Sequence, residues 1–412
     1  MLSILCVVLI VAILPSSFSR ASWLAGGISS FYIIGSYYNW RQKVINTKKT
    51  ALKLIILISI LVTALAGTLL YQLKKDSADG RLTIWKVSLD LISKKPVLGY
   101  GYGQFKTEYM ENQLAYFEKG LGSKKEIYLS DNVQYPYNEV IRIVIEYGFA
   151  GFCLVALIFW LAFSLKPGTN DVFPYVNIAR GGLIALLIFS LFSYPSEILS
   201  ILLLGVFSLA VIANNTIPLK IIDINRIRLF PRITGFSIAT LLILICLIWW
   251  RTTINKYGIV AWKEANVLYQ NGDLDSSLIK YKEAYRWNRN NGLFLSNYGK
   301  ALSLSKDYAQ SIKVLNESAL YLKDNITYLT LGDNFSALKD YPMAEVCYRK
   351  AINMTPSRVY PKYCIAILYY KANQLEKAQT VAREILSSNS KVQSLAESQI
   401  KEEMNKLLSY NN

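Results

Sequence analysis

The 412-residue sequence contains no histidine, which removes the commonest general base and the commonest metal ligand together. Cysteine is scarce. Cys6, Cys153, Cys246, Cys347 and Cys364 form no CxxC pair and no metal spacing, and three lie in apolar stretches. They read as small buried hydrophobes, with a Cys347–Cys364 disulfide as the alternative for the last two. The glycines from Gly99 to Gly103 lack the strand-then-helix context of a nucleotide cradle, so neither a metal nor a cofactor is expected. Acidic residues are outnumbered, 28 against 45 Lys and Arg, for a formal charge of +17. That excess is scattered over short turns and the C-terminal tail, with no basic run interleaved with aromatics. Nucleic acid is therefore not the expected partner; membrane lipid or an anionic lipid-linked substrate fits better.

Apolar residues are abundant, at 53% of the chain, and fall in blocks at about 2–18, 23–38, 52–73, 140–165, 178–192, 198–213 and 233–250. Blocks of this kind separated by basic turns predict about seven membrane spans. The first could instead be a signal peptide, but it lacks a basic start and another apolar block follows closely. The turns bearing Arg41, Lys43, Lys48 and Lys49, and Lys220, Arg226, Arg228 and Arg232, belong on the cytoplasmic side. The turn at Arg20, a polar loop at about 74–139 and everything after residue 250 then face outward. The predicted fold is all-α: a polytopic membrane domain at 1–255, then a soluble α-solenoid at 256–412.

The solenoid rests on a repeat. Leu274, Tyr308, Tyr341 and Leu375 are spaced 34, 33 and 34 residues apart. Nine residues before each stands Ala265, Gly299, Gly332 or Ala366, three after stands Ser277, Ser311, Ala344 or Ala378, and seven after stands Tyr281, Leu315, Tyr348 or Ala382. Small residues at helix crossings with large ones filling the gap are the tetratricopeptide pattern, here about four repeats and a polar capping helix. Such a scaffold takes a protein or peptide in its concave groove.

The polar loop carries two clusters: Gly80, Arg81, Trp85, Pro96 and the run Gly99-Tyr100-Gly101-Tyr102-Gly103-Gln104-Phe105, then Tyr137-Asn138 and Glu146-Tyr147-Gly148-Phe149-Ala150-Gly151. Their order and spacing resemble the periplasmic loop and following helix of bacterial O-antigen ligases and their polymerase relatives. The turn Ser19-Arg20-Ala21 is similar to the arginine motif that precedes that loop. The resemblance covers about residues 17–165. It implies metal-independent transfer of a glycan from undecaprenyl diphosphate, at the periplasmic face of the inner membrane, to lipid A core, another glycan or a protein hydroxyl. By resemblance Arg20 and Arg81 bind the diphosphate, while Arg81, Tyr137, Asn138 and Glu146 form the catalytic set. Two departures stand out. Tyr137 occupies the position where the family commonly has a histidine base, and the upstream helices of the family are expected to be missing.

Alternative readings of the same residues are structural. Arg81 could pair with Asp76 or Asp79, Gly148 and Gly151 could serve close helix packing, and Glu146 could be neutralised by Arg142 one turn earlier. On that reading the chain is a non-catalytic membrane scaffold recruiting envelope-assembly partners through its repeats.

Overall fold

The computed structural model describes residues 8–9, 12–13, 16, 19–40, 68, 71–72, 74–169, 171–217, 230–388 and 394–409. The expected spans at 2–18 and 52–73 and most of both basic turns lie outside the described residues. Sixteen α-helices are described. In the first half they are α1 (Arg20–Tyr37), α2 (Lys75–Lys94), α3 (Phe105–Glu118), α4 (Lys124–Leu129), α5 (Glu139–Ser164), α6 (Phe173–Ser190) and α7 (Leu199–Asn215). The second half has α8 (Phe230–Gln270), α9 (Leu274–Tyr285), α10 (Gly292–Leu304), α11 (Tyr308–Tyr321), α12 (Asn325–Ala337), α13 (Tyr341–Met354), α14 (Val359–Lys371), α15 (Leu375–Ser387) and α16 (Leu395–Ser409). Among the described residues the only β pairing is an isolated bridge between Pro167 and Thr216. The chain divides into two compact units, Met1–Phe105 with Gln134–Ile221, and Lys106–Val133 with Ile222–Asn412.

In the first unit, α5 and α6 are long and apolar enough to cross a membrane, with mean hydropathy of 2.1 and 1.4, and α7 is a shorter apolar helix. These three helices share a core of Ala162, Val176, Ala179, Leu183 and Ile212, with Phe159, Phe163 and Leu209 packed against it. Arg180 sits in this apolar setting for a definable reason. Its Nε donates to the Ala162 carbonyl at 3.0 Å and its Nη2 to Leu165, satisfying carbonyls that the end of α5 leaves without helical partners. Helix α1 packs on α6, and Gly181 permits the approach: a Cβ there would lie 2.5 Å from Ile33 Cγ1. The stretch read as a polar loop is largely helical, because α2 presents Thr83, Val87, Ser88 and Leu91 as one buried face.

The second unit is built of antiparallel helix pairs in the tetratricopeptide arrangement: the end of α8 with α9, α10 with α11, α12 with α13 and α14 with α15, closed by α16. The repeat positions are its packing points. Ala265, Ala366, Ser277, Ser311, Ala344 and Ala378 are fully buried. A Cβ on Gly299 would meet Leu315 at 2.5 Å, and one on Gly332 would collide with Tyr348. Each turn within a pair places a residue at positive φ, namely Gly272, Lys306, Lys339 and Asn373. Asp273, Asp307 and Asp340 then cap the following helix through their side chains. Cys347 and Cys364 are both buried free thiols, so the disulfide alternative does not hold.

Candidate functional site

The first cluster is carried by α2. Arg81 is held half-buried, with Nη1 donating to the Phe192 carbonyl at 2.8 Å and the guanidinium 4.9 Å from the centroid of the Tyr137 ring. One turn on, Trp85 Nε1 donates to the Pro136 carbonyl at 2.9 Å. Together these contacts fasten the Tyr137 segment to α2. Burial, and then the neighbouring Arg20, hold the Arg81 pKa below the usual guanidinium value, with Tyr137 and Tyr194 acting in the opposite direction. The groups acting on Arg81 thus include a second arginine. Arg20 opens α1 immediately after Ser19, whose side chain accepts from the Ser22 amide as the N-cap. Two like charges brought together under partial burial favour an anion between them.

Tyr137 has φ of 53°, a left-handed conformation unusual for a bulky residue and characteristic of constrained sites. Its ring also meets Tyr194 edge-on at 5.8 Å, and Tyr194 stacks on Tyr135 at 4.4 Å. Three tyrosines therefore form an aromatic wall beside Arg81. Burial, and next Glu197, push the Tyr135 pKa up, which keeps this hydroxyl a proton donor. Asn138 is the N-cap of α5, its Oδ1 accepting from the Ile141 amide at 3.2 Å.

Arg142, on the first turn of α5, gathers three carboxylates. Its Nη1 lies 2.5 Å from Glu197 Oε1 and 3.7 Å from Glu139 Oε1, and its Nε lies 3.4 Å from Glu146 Oε2. Ser196 links the group, accepting from Arg142 Nη1 at 2.8 Å and donating to Glu139 Oε1 at 2.5 Å. Glu146 is 2% exposed, whereas the Glu197 side chain is 35% exposed. Of the two, Glu197 presents its carboxylate to solvent.

Glu146 has a structural task that its position in the sequence did not disclose. Helix α5 is broken at Gly148, which has φ 66° and ψ −172°. The break frees carbonyls that the Gly-rich run uses: Tyr100 N donates to Ile145 O and Gly101 N to Glu146 O, each at 2.8 Å, while Phe149 N donates to Pro96 O at 2.8 Å. The Glu146 carboxylate accepts from the Gly103 and Phe105 amides. Glycine is required at both crossing points, since a Cβ on Gly99 would sit 2.5 Å from the Ile145 carbonyl oxygen and one on Gly148 would overlap Val97. The Gly99–Gly103 run is thus stitched to α5. Gly148 breaks the helix rather than smoothing its packing.

The structure brings Arg20, Arg81 and Tyr137 together, with Asn138 and Glu146 holding the frame. Sequence reasoning missed Tyr194, Ser196, Glu197 and the Phe192 carbonyl, which arrive from the turn between α6 and α7. The signal available was the polar pentapeptide Ser193-Tyr194-Pro195-Ser196-Glu197 between two apolar blocks, on the same expected side as the loop.

No curated protein matches the chain. Among solved structures, the MamA protein is similar at 16% identity, covering 37% of this chain and 89% of that one with a TM-score of 0.31. MamA from residue 41 onward, from Desulfovibrio magneticus RS-1, is similar at 18% identity, covering 37% and 86% with a TM-score of 0.32. At those scores neither bears on fold or function. Residues 5–156 match the O-antigen ligase family model, and this stretch holds Arg20, Arg81, Tyr137, Asn138 and Glu146.

Proposed function

We propose that the chain transfers a glycan from undecaprenyl diphosphate to an acceptor hydroxyl, on lipid A core or a similar acceptor, at the periplasmic face of the inner membrane. The observation that carries this reading is Arg81, half-buried beside Arg20 and oriented by the Phe192 carbonyl, within the stretch that matches the O-antigen ligase family. As the bond between the sugar C1 and the diphosphate oxygen breaks, its electron pair leaves with the diphosphate. Two permanently charged guanidinium forks stabilise that charge where it develops. The acceptor oxygen bonds to C1 on the opposite side and surrenders its proton.

In the absence of histidine, the proton goes to Glu197, the open member of the Arg142 cluster, which carries two more negative than positive charges. Tyr135, Tyr137 and Tyr194 form an aromatic platform for sugar rings. Asn138 and Glu146 act through the fold, one by starting α5 and the other by pinning the Gly-rich run. The expected topology of about seven spans places this site and the repeats outside the cytoplasm, and α5 and α6 supply the two spans best supported by length and apolarity.

Replacing Arg81 by Ala is expected to abolish glycan attachment while the protein stays in the membrane. Arg81→Lys keeps the charge but loses the planar fork, and transfer is expected to fall at least about tenfold. The readout is the glycan profile of cells carrying each variant. Normal attachment in Arg81→Ala and in Arg20→Ala would remove the diphosphate site. In cells lacking the protein, long unattached chains on the carrier indicate a ligase and single repeat units a polymerase.

A further inference from the structure

Residues 106–133, the middle of the loop, belong to the same compact unit as the repeats. Their contacts fall on one edge of the solenoid, at the ends of α11 and α13. Thr107 Oγ1 donates to the carbonyl of Tyr321, the last residue of α11, at 3.1 Å. Gln113 Nε2 donates to the carbonyl of Met354, the last residue of α13, at 2.6 Å. Helix ends leave such carbonyls without internal partners, and here two side chains of α3 supply them. Thr107 is 6% exposed and Gln113 fully buried.

The two contacts stand six residues apart on α3, about 9 Å along its axis, and each reaches the last carbonyl of the second helix of successive repeats. Charge completes the seat. Lys323, in the turn after α11, pairs with Glu111, and Arg358, in the turn after α13, grips Asp131 with both Nε and Nη2, at 2.9 and 2.6 Å. Ser357 Oγ donates to the Ser130 carbonyl, and Gln113 Nε2 also reaches the Asp131 carbonyl at 3.1 Å.

We propose that the turns leaving the second helices of the two middle repeats form a docking seat whose ligand is the chain's own α3–α4 segment. The seat makes Arg358, Gln113 and Asp131 positioning residues for Tyr137, which follows Asp131 by only six positions. The role in transfer rests on the proposed function; the docking does not.

The test uses the full-length protein with Asp131→Arg, Arg358→Asp and the double exchange. Lys119, Lys124 and Lys125 are exposed in the α3–α4 turn and report loop release through trypsin cleavage. Each single variant is expected to be cut about fivefold faster than the parent, and the double exchange to return to the parental rate. Single variants cut at the parental rate, or a double variant as loose as the singles, overturn the docking. Glycan attachment is expected to fall in the singles and recover in the double. Cleavage that behaves as expected while attachment stays unchanged overturns the positioning role. An unchanged Arg81→Ala strain overturns the transferase reading and leaves the cleavage result standing.

Discussion

Tyr137 takes the position for which the resemblance implies a histidine, and its surroundings show what the tyrosine does there. The ring covers the Arg81 guanidinium and touches Tyr194, so its contribution is a π face and shape. Tyr137→Phe is then expected to retain most transfer, within about threefold, and Tyr137→Ala to lose at least about tenfold, as the wall and the cation–π contact go together. Loss of activity in the Phe variant equal to that in Ala would return the hydroxyl to the reaction. Glu197 was not legible beforehand because its partner Arg142 lies 55 residues away in sequence, and only folding brings them to 2.5 Å. The pairing of Glu146 with Arg142, one helical turn apart, was legible from spacing alone.

At the same scale, burial pushes the Cys347 thiol up to about 11 and the Cys364 thiol up to about 12. An unfolded cysteine titrates near about 8.5. Since the folded values are raised, the stability these groups contribute is constant below the unfolded value and lost as pH rises from about 8.5 towards 11 and 12. Alkylation of both thiols in the native protein is expected to stay slow at pH 9 and become fast on denaturation. Rapid native labelling of either residue at pH 8 would contradict the burial.

Among the elements, the repeats were readable because a 33–34-residue period constrains every turn at once. Small residues at the crossing points and Asp caps recur at fixed offsets, so tertiary packing and local signals agree. The fourth repeat departs from this pattern: Gln374 occupies the cap position with φ −98° and ψ 65°, close to the −83° and 72° of Asp340, yet makes no side-chain cap. Gln374→Asp is accordingly expected to stabilise the protein by about 1 kcal/mol, read as a rise in the unfolding midpoint of the repeats. An unchanged or lower midpoint counts against the capping argument. The break in α5 was hidden for the opposite reason. Gly148 lies in an apolar run with helical periodicity, and only the Pro96–Gly101 segment docked on it reveals why the helix gives way there.

For the whole molecule, the charge pattern proposes an orientation that the fold can be made to report. In a cysteine-free background, a cysteine at Lys119 is expected to react with a membrane-impermeant maleimide from the periplasmic side, and one at Lys48 to react only after the membrane is opened. The reverse labelling would move the loop and the repeats to the cytoplasm and end the glycan-transfer proposal, since its lipid-linked donor is used at the outer face. The loop's helical content was not legible in the same way. Its amphipathic faces are short, and α3 presents Thr107 and Gln113 to carbonyls at the ends of repeat helices more than 200 residues away.

Helix α8 runs without interruption through 41 residues, about 60 Å at 1.5 Å per residue, from an apolar stretch into the first helix of the solenoid. In the proposed topology there is consequently no swivel between the last membrane-embedded turn and the first repeat. Any rotation of that span about its axis turns the attached repeat through the same angle, like a crank on its shaft. A partner that gripped the solenoid would apply torque within the bilayer.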